Sequence, residues 1–127
     1  MTKKIIFSPD APAPIGPYSQ AVLVNGTLYV SGQIALDVAA SGDIQAETRK
    51  VMENIGAILK AAGLGYENIV KSSIFVKDMN NFAAINEVYG SFFGTEPDAG
   101  PPPARETVEV ARLPKDVNVE ISIIAVQ

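Results

Sequence analysis

Two apolar runs, "AVLV" at 21–24 and "TLYV" at 27–30, stand on either side of Asn25 and Gly26, and this commits the chain to antiparallel sheet. The favoured two-residue hairpin turn needs positive φ at both central residues, which Asn and Gly tolerate and most residues do not. A hairpin over 19–34 is therefore expected. Upstream, "KKIIF" reads as a short edge strand. Between them "SPDAPAPIGP" holds too many prolines for a ladder position and reads as a structured loop.

After the hairpin the period changes. Ile44, Val51, Met52, Ile55, Ile58, Leu59 and Ala62 share one face of a helix running from an N-cap at Asp43 to Ala62, with Gly63 just past its end. "NIVKSSIFVKD" is a strand. From about Asn81 the residues Phe82, Ile85, Tyr89, Phe92 and Phe93 give a second amphipathic helix closed by Gly94. The proline-rich loop "TEPDAGPPP" follows, then the strands "ARETVEVAR" and "VNVEISIIAV", joined by a turn at "LPKD". The order β-ββ-α-β-α-ββ predicts one α+β domain over residues 1–127, a single mixed six-stranded sheet with two helices on one face.

That architecture leaves the other sheet face to explain. With Val117, Val119, Ile121 and Ile123 toward the helices, Asn118, Glu120, Ser122, Ile124 and Val126 point away, and "AVLV" and "IFV" are likewise apolar on both sides. No further layer of chain remains to cover this second apolar face, so a symmetric homo-oligomer is expected.

What the chain lacks restricts its chemistry. With no histidine and no cysteine, it has no Ser-His-Asp triad, no thiol nucleophile and no imidazole or thiolate zinc site. The acidic residues follow no calcium-loop or DxD spacing, so no metal is expected, and no glycine-rich nucleotide loop is present. A net charge of −4 with dispersed lysines argues against nucleic-acid partners. Lacking a long apolar segment, the protein is expected to be soluble and cytoplasmic, with no membrane association.

Three arginines remain as fixed cations, and Arg105, directly after three prolines, opens a strand. If Val108 and Val110 face the helices, Arg105 emerges on the same far face as Glu120. The residues allow two roles for this pair: an ion pair holding register between adjacent strands, or a ligand site in which Arg105 clamps a carboxylate and Glu120 handles a proton.

The motifs "IGPYSQA", "LYVSGQI", "NIVKSSIFVKDMNNFAAINEVYGSFF" and "PPPAR.TVEVARLPKD..VEI.IIAV" together resemble the YjgF/RidA family, the reactive intermediate deaminases, over essentially the whole chain. The resemblance implies a homotrimer of chorismate-mutase-like subunits with ligand clefts between neighbours. It also implies cofactor-free hydrolysis of 2-imino acids or their enamine tautomers, released by PLP-dependent serine and threonine dehydratases, to 2-keto acids and ammonia. On the family pattern Arg105 clamps the substrate carboxylate, and Glu120 orients or deprotonates water. Tyr18, Ser31, Gly32 and Thr107 fall on pocket-lining positions, with Asn86 and Tyr89 as further lining.

Read singly, each has a structural role open to it: Tyr18 as a cap on a core edge, Ser31 and Gly32 as a strand bulge, Thr107 as an ordinary β-former. Glu106 stands where a small residue is expected, although alternation sends it to the face opposite Arg105. Together with the loop 95–103 it bears on the shape of the pocket. Two other functions use the same chain: a non-catalytic protein holding small carboxylates or 2-keto acids in those clefts, and an RNA-directed translation inhibitor or ribonuclease, which the acidic composition disfavours.

Overall fold

The computed structural model describes residues 2–94 and 100–127. Nine regular elements follow one another: β1 (Lys4–Ile6), β2 (Ala21–Val24), β3 (Thr27–Gln33), α1 (Leu36–Ala39), α2 (Ile44–Ala61), β4 (Ile69–Val76), α3 (Phe82–Gly90), β5 (Ala104–Glu109) and β6 (Val119–Val126). The fold is α+β, with one mixed six-stranded sheet in the order β1-β2-β3-β6-β4-β5. Every pairing is antiparallel except β4 with β5, which the crossover through α3 makes parallel.

Local chemistry sets these boundaries. Asn25 and Gly26 take φ of 51° and 78°, the two left-handed positions that turn β2 into β3. Asp43 caps α2 by accepting hydrogen bonds from the amides of Gln45 and Ala46. The expected second helix is shorter than its apolar pattern: α3 stops at Gly90, and Phe92 and Phe93 lie in the turns beyond it, where they pack on the Tyr66 ring. A third helix, the one-turn α1, was not expected. Four residues are too few to show a helical period.

Val51, Met52, Ile55, Ile58 and Leu59 of α2 are fully buried against the sheet, where Leu28, Ile74, Ile121 and Ile123 meet them. Each such side chain contributes roughly 1.5–3 kcal/mol when removed from water. Where β6 begins, the buried Glu47 of α2 accepts from the amides of Asn118 and Val119 at 2.8 and 3.2 Å and from the Asn118 side chain at 2.8 Å. Asn118 therefore turns toward the helices rather than onto the far face, because it precedes the strand and is claimed by a buried carboxylate. The far face is otherwise as expected: Glu120, Ser122 and Ile124 are half-buried there beside exposed Tyr29 and Val126.

One glycine matters for space. A methyl group on Gly56 of α2 would overlap the Tyr66 hydroxyl, which donates to the Met52 carbonyl at 2.8 Å and which burial and the nearby Glu53 push up to about 12 in pKa. Alanine normally favours a helix by about 1 kcal/mol over glycine. Gly56→Ala is nonetheless expected to lower stability by about 1–3 kcal/mol, by overpacking the site and expelling Tyr66 from its hydrogen bond. Urea unfolding of the two proteins measures this, and a stabilised variant would show that the contact relaxes freely.

Candidate active site

β5 forms one edge of the sheet, and α3 lies over its first residues. The turn Met79–Asn81 leads into α3, and the Met79 amide donates to Glu109 at 2.8 Å, which ties the start of the helix to the end of β5. Phe82, Asn86 and Tyr89 then follow at spacings of four and three, on one helical face. All three meet Arg105. Its Nη1 donates to Asn86 Oδ1 at 2.7 Å, and its guanidinium carbon lies 5.5 Å from the Phe82 ring centre and 5.3 Å from that of Tyr89.

The support continues inward. The Tyr89 hydroxyl donates to the fully buried Ser72 at 2.8 Å, and burial raises the pKa of Tyr89 against the lowering influence of that bond and of Arg105. Arg105 forms no salt bridge with any described residue, so a planar cation with spare donors stands held by a helix and not neutralised by any described carboxylate. Two residues along the same strand face is Thr107, whose buried hydroxyl has no hydrogen-bond partner among the described residues.

Glu120 is elsewhere. In the register of β4 with its two neighbours, Arg105 and Thr107 align with the buried Ser72 and Ile74, on the helix side of the sheet, whereas Glu120 and Val108 align with Phe75 on the far side. The expectation that Arg105 shares a face with Glu120 is thus wrong, and so is the ion pair between adjacent strands. β4 separates β5 from β6. Apolar alternation does not mark the helix side here: on this edge strand Val108 points to the far face and is itself exposed. Glu106 does lie opposite Arg105 and is engaged there by Lys71 at 2.8 Å and by the Ser73 hydroxyl, which together lower its pKa.

A second cluster forms around Glu120. Between Val30 and Gln33 the register of β3 slips against Ile123 and Ile121 of β6, so Ser31 and Gly32 form a bulge. The Ser31 amide and hydroxyl bond to the carbonyls of Gln20 and Ser19 at 2.9 and 2.6 Å, which fixes the segment carrying Tyr18 against the strand. The Tyr18 hydroxyl accepts from the Ile15 amide at 3.2 Å. At Gly32 any Cβ would stand 2.7 Å from the Glu120 carboxyl group, so the bulge needs glycine to admit that carboxylate. Tyr18, Ser31, Gly32 and Glu120 share a hollow of about 380 Å³, walled by Ile15, Ile34 and Pro114. Burial raises the pKa of Glu120 above the ordinary carboxylate value.

The expected residues therefore form two groups: Arg105, Asn86, Tyr89 and Thr107 at the β5 edge, and Glu120, Tyr18, Ser31 and Gly32 at the β3 bulge. The loop 95–103, expected to shape the pocket, lies outside the described residues at 95–99.

Two contributors were missed. Phe82, expected only on the apolar face of the second helix, is 39% exposed and lies beside Arg105. Gln20 is the buried hub of the proline-rich loop, accepting from the Ser8 amide at 2.7 Å and donating to the carbonyls of Ser8, Ala11 and Pro12. A signal for it existed: prolines supply carbonyls but no N–H, so such a loop needs donors from outside itself.

Residues 8–127 match the family model described as Endoribonuclease L-PSP. A RutC family protein of Synechocystis is 51% identical, covering 99% of this chain and 98% of the relative. The chain belongs to the YjgF/RidA family. A mouse relative, named 2-iminobutanoate/2-iminopropanoate deaminase, is 44% identical over 98% of this chain and 92% of its own. The crystal structure of the YjgF gene product of E. coli superposes with a TM-score of 0.88 at 45% identity, covering 98% of each chain. Family members thus carry different activities in their names, and the site must choose among them.

Proposed function

We propose that this YjgF/RidA protein is a cytoplasmic, single-domain 2-iminobutanoate/2-iminopropanoate deaminase, working as a homotrimer of chorismate-mutase-like subunits. The observation that carries this reading is the split site. One subunit holds Arg105, unpaired with any described carboxylate, at a sheet edge and a half-buried Glu120 on the opposite face, so a small substrate meets both only where two copies join. The apolar far face supplies the reason to join.

In such a cleft the substrate is a 2-imino acid in its iminium form. Arg105 binds the carboxylate with the donors that Asn86 leaves free, and the packed rings of Phe82 and Tyr89 hold the guanidinium plane. Glu120 takes a proton from water as its oxygen bonds to the imine carbon, giving a tetrahedral carbinolamine. That proton returns to the nitrogen; the C–N bond then breaks as Glu120 takes the hydroxyl proton, releasing a 2-keto acid and ammonia, which picks up that proton as ammonium. The iminium carbon is already electrophilic, so positioning and proton transfer suffice without a covalent nucleophile. An acidic chain with dispersed lysines gives RNA no comparable binding surface.

The test is 2-keto acid release from 2-iminobutanoate, generated in place by a threonine dehydratase and trapped competitively with semicarbazide, with light scattering to give the mass. Release above the uncatalysed rate, from a particle about three times the 13.4 kDa chain, is the expected result. Binding of 2-oxobutanoate without acceleration would make this a small-carboxylate binding protein instead.

A further inference from the structure

A second and larger cleft, about 460 Å³, lies between the proline-rich loop and α2, and none of the chemistry above uses its floor. Its walls are mostly apolar, from Pro9, Pro12, Ile15, Ile34 and Leu36. Its polar groups are few and specific. Asn54 and Gln33 line the cleft with 1% and 5% of their surface exposed. Each spends its amide nitrogen on a backbone carbonyl, Asn54 on Ile34 at 3.3 Å and Gln33 on Ser31 at 3.1 Å.

A carbonyl only accepts, so these bonds fix the amide orientation and leave both side-chain oxygens without a donor from any described residue. Neither oxygen is sealed from solvent, so both open into the cleft, where a ligand that donates can reach them. One turn before Asn54, on the same face of α2, half-buried Lys50 also lines the cleft and forms no salt bridge with any described residue. Asp10 and Asp37 lie at the exposed rim.

We infer that this cleft binds a free α-amino acid with an apolar side chain. Its ammonium group donates to Asn54 Oδ1 and Gln33 Oε1, supported by the rim carboxylates; its carboxylate meets Lys50; its side chain fills the apolar walls. A simple carboxylate offers the two amide oxygens no donor, and a simple amine offers Lys50 no anion. Ile15, Tyr18, Gly32 and Ile34 line both this cleft and the Glu120 hollow, so the bound amino acid touches residues that also shape the candidate active site.

Titration calorimetry of the whole protein with L-leucine tests the site, using 4-methylpentanoate, which lacks the ammonium group, as control. Wild type and Arg105→Ala are expected to bind L-leucine alike. Lys50→Ala, and the control ligand on wild type, are each expected to bind about tenfold more weakly or worse. Lys50 is half-buried on a long helix where alanine is well tolerated, so this variant keeps the fold. Absence of L-leucine binding to wild type overturns the inference. Binding lost in Arg105→Ala but kept in Lys50→Ala also overturns it, by placing the amino acid in the Arg105 cleft.

Discussion

Arg105→Ala is expected to lower kcat/KM for 2-iminobutanoate by about a hundredfold or more, since it removes a charge-assisted anchor that no other described side chain replaces. Loss alone does not show where the partner carboxylate sits. Glu120→Gln carries the complementary defect, and because the two residues lie on opposite sheet faces, each intact cleft of the proposed trimer draws one from each of two subunits. Unfolding the two inactive variants together in equal amounts and refolding them as random trimers is expected to restore activity to about a quarter of the clefts, those pairing an intact arginine with an intact glutamate. Failure to recover activity in properly assembled mixed trimers would mean that both groups act within one subunit or that one of them is not used.

The same geometry explains what was legible in the sequence. The Asn25–Gly26 hairpin, the capped α2 and the strands around them depend on local chemistry: φ preference, a side chain that caps, a period of two or 3.6. Strand order does not. β6 fills the space left between β3 and β4 when α2 carries the chain across, while α3 carries it on to a parallel β5, and no local pattern encodes either. The phase of β5 was unreadable for a related reason. On a sheet apolar on both faces, Val108 marks a side without saying which, and only α3 above Arg105 decides it. Arg105 and Glu120 were recognisable by residue type and motif, whereas their separation was a property of the assembled sheet. Gly32 read equally as a bulge and as a pocket residue. It is both, since the bulge is what lets the Glu120 carboxylate approach the backbone.

Glu120→Gln is expected to cost about a hundred- to ten-thousandfold in kcat, the usual worth of a positioned general base. Its pH profile carries the sharper evidence. Burial holds the carboxyl above its ordinary pKa, so the ionised base form is lost as pH falls through that raised value, and kcat/KM in the wild type should fall with it. In Glu120→Gln the residual activity should lack this acid limb; a limb that persists would assign the proton to another group.

Stability moves the opposite way. A carboxyl whose pKa is raised on folding favours the folded state while protonated. Its contribution is fully present below the unfolded pKa and is lost as pH rises through the folded one. Glutamine cannot ionise, so Glu120→Gln should melt above the wild type at neutral pH, and the gap in Tm should close on acidification below the unfolded value. A charge held to activate water is one that burial penalises, so a less active and more stable variant is what a base held for chemistry should give. If Glu120 were instead retained to hold the fold together, its removal would lower Tm at neutral pH.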